Sequence, residues 1–290
     1  MSSETFSRRS FLITGGGALA AGVLLAAGCG TKSKTSKSSQ SSRKLNAGLL
    51  AIEPYVSTVP QRFAFALSTE HGAFASGPVA TIAFRAPDSL LSAPEPTKLH
   101  ADGLPQGRGV YTVETALPQA GVWDAFIHVN GHPEIHLPFE VTAQPAMPIL
   151  GASAPRVASP TFANTLDVDP ICTRDPKCPL HTVSLDTVIG KGKPVALMFG
   201  TPARCESRYC GPVLEQLLSV YESYGDRITF VHCEIYKNSR TNDHISTVDA
   251  WGLPGEPLLF GINGAGDITA RLDGAMGTDE VRTLLKNLVG

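Results

Sequence analysis

The chain has 290 residues, of which 24 are basic and 26 acidic, giving a net charge of −2 at pH 7. Seven basic residues but only one acidic residue precede residue 45, so the remainder carries a net charge of about −8. This balance argues against a surface that tracks phosphates, and we expect no nucleic acid among the partners. The chain after residue 45 is long enough for two ordinary domains with separate cores.

The first 28 residues have the layout of a secretory signal peptide, which is basic, then apolar, then rich in small residues. Arg8-Arg9 precede an uncharged stretch over 11–27, which Gly28-Cys29 close. The arginine pair resembles a twin-arginine export signal, and residues 25–29 resemble a bacterial lipobox, whose cysteine becomes the lipidated first residue. We therefore expect Cys29 to anchor an extracytoplasmic protein to the cell membrane. An uncleaved anchor helix is the alternative, for which 17 residues are marginal.

Residues 29–45 are predicted to form a disordered basic tether. Positions 30–44 hold five basic residues, no acidic residue and no large apolar residue. Such a segment cannot bury enough surface to offset the entropy cost of ordering.

Residues 46–145 are predicted to form an all-β sandwich. Apolar and polar residues alternate in short runs that Gly, Pro and Asn separate. The runs are 62–67, 80–86, 110–117, 122–129 and 135–141. The stretch 107–131 resembles small immunoglobulin-like exported domains. Within it and just beyond, His128, His132 and His136 are spaced by four; a copper cluster there is conceivable, but solvent-facing histidines are favoured.

A segment rich in Pro, Ala and Ser, residues 146–165, is predicted to be a linker to a C-terminal domain over 166–290. In that domain predicted strands alternate with helices, which indicates a mixed α/β sheet. The strands are 194–200, 228–236, 257–263 and 267–274. The helices are 212–224, 241–251 and 278–288.

The C-terminal domain contains two cysteines, Cys205 and Cys210, at a junction between a strand and a helix. This order of elements is similar to that of the thioredoxin-like superfamily, in which the active cysteine follows the first central strand and opens a helix. The segment Gly255-Glu256-Pro257 matches the family's cis-proline, which faces the cysteines. The resemblance implies that Cys205, Cys210 and Pro257 form a redox site.

The motif departs from the family, because four residues rather than two separate the cysteines. Cys205 is favoured as the attacking group, since a helix N-terminus stabilises a thiolate and Arg204 and Arg208 add positive charge. Cys210 remains an alternative, because Pro212 could begin the helix. In a continuous helix, Cα atoms five residues apart are roughly 8 Å apart, beyond the roughly 7 Å of a disulfide. Oxidation is therefore expected to unwind the segment.

Three alternative functions remain open at this point. Some peroxiredoxins use two cysteines with the same spacing, but their Pro and Thr positions are Met198 and Pro202 here. Copper chaperones of the Sco type use a cysteine pair with a distant histidine, for which His181, His232 and His244 are candidates. A binding lipoprotein without catalysis is the third.

Cys172 and Cys178 lie in a proline-rich loop before the first elements of the C-terminal domain. In an oxidising compartment a structural disulfide that closes this loop is the favoured interpretation, and metal ligation together with His181 is an alternative. Cys233, in an apolar strand, is predicted to be a buried free thiol.

We predict a membrane-anchored extracytoplasmic thiol–disulfide oxidoreductase whose partners are protein thiols or disulfides, with no cofactor and no metal.

The Gly28-Cys29 junction generates a prediction about location. The mature protein should partition with membranes, and Cys29→Ala should release it or leave it unprocessed, because the acylated sulfur is lost. Membrane fractionation with mass measurement checks this. Cys29→Ala protein that is fully processed and still membrane-bound would contradict lipidation.

Overall fold

The computed structural model describes residues 44–290. The predicted signal peptide, Cys29 and nearly all of the predicted tether lie outside these residues. Within them, no helix combines the length and the apolar composition needed to cross a bilayer.

The described residues form twelve strands and four helices. The strands are β1 (Leu45–Leu49), β2 (Ser57–Thr69), β3 (Ala80–Arg85), β4 (Glu95–Pro96), β5 (Lys98–His100), β6 (Val110–Leu117), β7 (Gly121–Val129), β8 (Ile135–Val141), β9 (Val195–Phe199), β10 (Thr229–Cys233), β11 (Leu258–Ile262) and β12 (Ile268–Asp273). The helices are α1 (Leu185–Val188), α2 (Cys210–Tyr224), α3 (Ser246–Ala250) and α4 (Thr278–Val289).

The first eight strands form two antiparallel sheets, which we call the N-terminal sheet pair. Their strand orders are β1-β2-β6-β5 and β4-β3-β7-β8. Residues of both sheets enter one shared core; on β7 these are the alternate residues Trp123, Ala125, Ile127 and Val129, as the alternation predicts. The likeness to immunoglobulin domains and the proposed domain limits stay predictions.

The last four strands form a mixed sheet with the order β10-β9-β11-β12. Strand β9 is parallel to β10 and antiparallel to β11. Every residue of β9 is buried, because both faces of the sheet are covered. Leu197 and Phe199 pack on the side of α1 and α3, whereas Ala196 and Met198 pack on the side of α2 and α4. This is the arrangement of a thioredoxin-like fold.

The segment 146–165, predicted to be a linker, is packed against the mixed sheet. Met147 and Ala154 are buried in the core on the side of α1 and α3, and Ala154 donates a backbone hydrogen bond to Gly266. Leu45, the last residue of the predicted tether, is buried and begins β1. Both segments are therefore more ordered at these positions than their polar and proline-rich composition predicts.

Arg62 of β2 connects the N-terminal sheet pair to the C-terminal half. Its Nε donates to Glu280 Oε1 at 2.7 Å and its Nη2 to Glu280 Oε2 at 3.1 Å. The same guanidinium donates at 2.8 Å to the carbonyl oxygens of Asp273 and Ala275. The side chains of Arg62 and Glu280 are only 6% and 8% exposed. The pair therefore depends on its hydrogen bonds to offset the loss of hydration.

We predict that Arg62→Ala lowers the free energy of unfolding by about 3–5 kcal/mol, because Glu280 is left buried without its cation. Urea denaturation of the full chain measures this. Arg85→Ala is the matched control: Arg85 also pairs with a carboxylate, Asp124, but its side chain is 46% exposed. The control should shift the transition far less, and an equal shift in both variants would contradict the role given to Arg62.

Candidate functional site

Cys205 and Cys210 lie between the end of β9 and the start of α2 and are joined by a disulfide. Their Cα atoms are 5.9 Å apart, within the range of an ordinary disulfide. Helix α2 begins at Cys210, and the chain from Thr201 to Tyr209 runs through consecutive turns in which Arg208 has a φ of 61°. The expectation that Cys205 opens the helix is therefore wrong for the disulfide-bonded chain, whereas the expectation that oxidation unwinds the segment stays a prediction.

The two cysteines differ in their exposure to solvent. Cys205 is 8% exposed, whereas Cys210 is fully buried. Cys210 packs against Gly200: a Cβ atom added there would lie 3.5 Å from the Cys210 sulfur and 3.3 Å from its Cβ. An incoming thiol can therefore reach Cys205 more readily than Cys210.

The sulfur of Cys205 lies at the N-terminus of α2 although Cys205 itself precedes the helix. The backbone N–H of Cys210, one of the unpaired donors of the first turn, points to Cys205 Sγ at 3.3 Å. Ser207 Oγ lies 3.1 Å from the same sulfur. Both contacts and the helix dipole would stabilise a thiolate on a reduced Cys205.

Arg204, expected from the sequence to favour this thiolate, has other partners. Its guanidinium donates to the carbonyl oxygens of Asn238 and Thr241 and to Asn242 Oδ1. It also lies over the ring of Tyr236. The helix N-terminus, rather than Arg204, is thus the feature in direct contact with the sulfur.

Glu256 is a residue of this site that the motif did not reveal. One of its carboxylate oxygens lies within 4.8 Å of both sulfurs. Burial raises its pKa to about 7, although the backbone N–H of Thr201 donates to the carboxylate and partly opposes this shift. Near neutral pH such a group can both accept and donate a proton. In the sequence Glu256 was marked only by its position directly before Pro257, the candidate cis-proline, and that motif assigned no role to the carboxylate.

The peptide bond between Glu256 and Pro257 is cis, as the sequence predicts. Strand β11 begins at the next residue, Leu258, which pairs with Phe199 at the end of β9. Pro257 is therefore held at the same end of the sheet as the cysteine pair.

Cys172 and Cys178 are not bonded to each other in the structure; both are free and buried, which corrects the expected disulfide. Their sulfurs instead form a group with ring nitrogens of His181 and His232, all within 4.8 Å of one another. Hydrogen bonding from the Cys178 thiol, with smaller contributions from the two imidazoles, lowers the pKa of Cys172. This group could hold a metal ion.

Of the histidines considered for copper in the N-terminal sheet pair, His128 and His136 are exposed, as the favoured interpretation predicts. Among residues 44–290, no histidine joins the group of Cys205, Cys210 and Glu256. His244 contacts Tyr236 and Asp249. In the N-terminal sheet pair, His136 bonds to Asp124 at 2.6 Å. Cys233 is buried and free, as predicted, and burial raises its pKa to about 12.

No family model matches the chain, and no curated protein matches it. Solved structures with similarity to it include a protein described as the thiol:disulfide interchange protein DsbE from Chlorobium tepidum, with 15% identity over 49% of this chain and 99% of that one and a TM-score of 0.37. The thioredoxin domain of a thiol-disulfide oxidoreductase from Bacteroides vulgatus has 18% identity, the same coverage and a TM-score of 0.35.

At these scores the likenesses carry no conclusion about this chain. The thioredoxin-like character of the C-terminal half follows from its own geometry: the order of its mixed sheet, a cysteine pair between β9 and α2, and a cis-proline before β11.

The raised pKa of Glu256 generates a pH prediction. Opening of the disulfide at Cys205 releases a buried thiolate on Cys210, which Glu256 can protonate only below about pH 7. The rate of reduction by dithiothreitol, divided by the concentration of its thiolate, should therefore fall as the pH rises through about 7.

Glu256→Gln should abolish this inflection and slow the reaction at pH 6 by about 100-fold, a typical value for loss of a general acid. Stopped-flow measurement of the reduction rate checks both effects. Glu206→Gln removes an exposed carboxylate from the same loop and should keep the inflection. An unaltered inflection in Glu256→Gln would rule out this role for Glu256.

Proposed function

We propose that the protein is a membrane-anchored extracytoplasmic thiol–disulfide oxidoreductase that acts through Cys205 and Cys210. The observation that carries this proposal is the asymmetry of the pair. Cys205 keeps 8% of its surface exposed and its sulfur accepts a hydrogen bond from the N-terminus of α2, whereas Cys210 is fully buried. A cross-link with a purely structural role would need neither a stabilised thiolate nor a neighbouring carboxyl group with a pKa near 7.

The proposed reaction is an exchange of sulfur–sulfur bonds. In the reducing direction, the Cys205 thiolate attacks one sulfur of a partner disulfide and releases the other partner sulfur as a thiolate. The Cys210 thiolate then attacks Cys205 in the mixed disulfide and releases the second partner thiolate. Two electrons pass from the cysteine pair to the partner, and the intramolecular disulfide forms. The oxidising direction is the reverse of these steps.

Glu256 supplies and removes the proton that these steps require at Cys210. A thiolate at this fully buried position is costly unless it is protonated or reacts. Deprotonated Glu256 takes the proton of the Cys210 thiol before Cys210 attacks. Protonated Glu256 returns it when the reverse reaction releases the Cys210 thiolate.

Pro257 is proposed to adjoin the bound partner, since it lies at the same end of the sheet as the pair. The partners are proposed to be protein thiols or disulfides outside the cytoplasm, which the predicted export signal and Cys29 anchor would bring to the same compartment. An oxidising compartment is also where a disulfide persists.

The exposure of the two sulfurs generates a trapping prediction. Cys210→Ser should accumulate mixed disulfides between Cys205 and partner proteins, because no thiol remains to resolve them. Cys205→Ser should trap few, because the remaining sulfur is buried. Non-reducing gels of cell extracts, followed by peptide mapping of the linked cysteines, measure both.

Cys233→Ser is the control, since it removes a buried thiol that takes no part in the proposed exchange. The opposite pattern in the two variants would invert the roles of Cys205 and Cys210. An absence of adducts in both, together with slow alkylation of both cysteines, would favour a binding protein without catalysis.

A further inference from the structure

A second group of side chains, separate from the redox pair, has the composition of a metal centre. Cys172, Cys178 and His181 come from the irregular segment before α1, and His232 comes from β10. All four residues are at most 3% exposed. The sulfur of each cysteine and one ring nitrogen of each histidine are mutually within 4.8 Å.

Two of the six distances between the donor atoms are close to those of a tetrahedral site. With zinc–sulfur and zinc–nitrogen bonds of about 2.3 and 2.05 Å, tetrahedral ligands would be separated by about 3.6 Å for sulfur and nitrogen and about 3.3 Å for two nitrogens. Cys178 Sγ lies 3.4 Å from His232 Nδ1. His232 Nδ1 lies 3.2 Å from His181 Nε2. The donor atoms of Cys178, His181 and His232 therefore need little movement to surround one ion, and the Cys172 sulfur lies within 4.8 Å of each of them.

The backbone orients His232 as it would a metal ligand. His232 Nε2 lies 2.8 Å from the carbonyl oxygen of Gly200. A carbonyl oxygen can only accept, so Nε2 carries the proton, and Nδ1 of the neutral ring presents its lone pair to the group. A zinc-bound histidine usually donates a hydrogen bond in this way from the ring nitrogen that does not bind the metal. His181 has no such support among residues 44–290, because its Nδ1 is buried without a partner.

The donor set also selects the metal by charge and geometry. Two thiolates and two neutral imidazoles around a divalent cation form an electrically neutral centre, which can be buried at far lower cost than an uncompensated charge. A tetrahedral set of two sulfurs and two nitrogens is typical of zinc, whereas copper(I) would leave a net negative charge in the interior.

The geometry points to a structural Zn²⁺ site formed by Cys172, Cys178, His181 and His232. Such an ion would join the irregular segment 166–184 to the central sheet. It would also keep two neighbouring thiols from forming the disulfide expected from the sequence. The site is closed, with four protein ligands, as in structural rather than catalytic zinc centres.

The test uses the full chain carrying Cys205→Ser and Cys210→Ser, so that the redox pair cannot supply ligands. The protein is prepared anaerobically, stripped of metal and titrated with Zn²⁺ in competition with a chromogenic chelator. We expect one Zn²⁺ per chain. X-ray absorption should show two sulfur ligands at about 2.3 Å and two nitrogen ligands at about 2.0 Å.

Adding Cys172→Ser or His232→Gln should weaken zinc binding by at least 100-fold, whereas adding Cys233→Ser or His244→Gln should not. Bound zinc should also protect Cys172 and Cys178 from alkylation in protein with an unaltered cluster, a readout independent of whether the variants fold. Zinc binding by the unaltered chain that is lost in the chain carrying Cys205→Ser and Cys210→Ser would overturn the assignment. So would selective binding of copper(I), or an anaerobically reduced protein that binds no zinc and forms a Cys172–Cys178 disulfide in air.

Discussion

The buried pairing of Arg62 with Glu280 is the interaction on which the arrangement of the two halves depends. Glu280 also accepts a hydrogen bond from the backbone N–H of Gly277 at the start of α4, so one carboxylate holds both its own helix and the opposing strand. Because Arg62 and Glu280 are removed from water together, moving the two halves apart would leave each charge without its partner. The N-terminal sheet pair is thereby fixed against the mixed sheet.

This fixed arrangement extends to the redox site. Tyr209, directly before α2, is buried in a small cluster with Ala64 and Val110 of the N-terminal sheet pair. Arg108 lies over its ring. Tyr209 is therefore held in place by the N-terminal sheet pair. The same contacts position the next residue, Cys210, whose backbone N–H points to Cys205. The sheet pair supports the geometry of the site without contributing a cysteine to it.

Local patterns predicted the elements well where burial follows from the chain's own periodicity. The strands at 110–117 and 135–141 have the predicted limits. The start of α2 was misjudged, since Pro212 suggested a beginning there; Pro212 instead occupies the first turn, where an N–H is not needed. Helix α3 is shorter than predicted because residues 243–245 pair with residues 235–237 through backbone hydrogen bonds, including Ile245 N–H to the carbonyl oxygen of Ile235.

The parts of both sites that sequence reasoning missed depend on distant segments. Glu256 gains its raised pKa from burial beside the pair some fifty positions earlier, and no local pattern encodes that burial. The same holds for Cys172 and Cys178: their spacing fits a disulfide equally well, and only the fold brings His232 beside them. The cysteines could be identified from residue type, whereas the positions of Glu256 and His232 beside them are evident only in the three-dimensional structure.

Gly200 has a consequence for how this protein could change over time. Its carbonyl oxygen accepts the hydrogen bond of His232, and its Cα faces the sulfur of Cys210. Any residue at position 200 would keep the carbonyl oxygen that accepts from His232, whereas its Cβ would lie only 3.3 Å from the Cβ of Cys210. Substitution at this position would therefore disturb the packing of Cys210 and spare His232, so in divergent lineages a glycine at 200 is expected to persist with Cys210 rather than with His232.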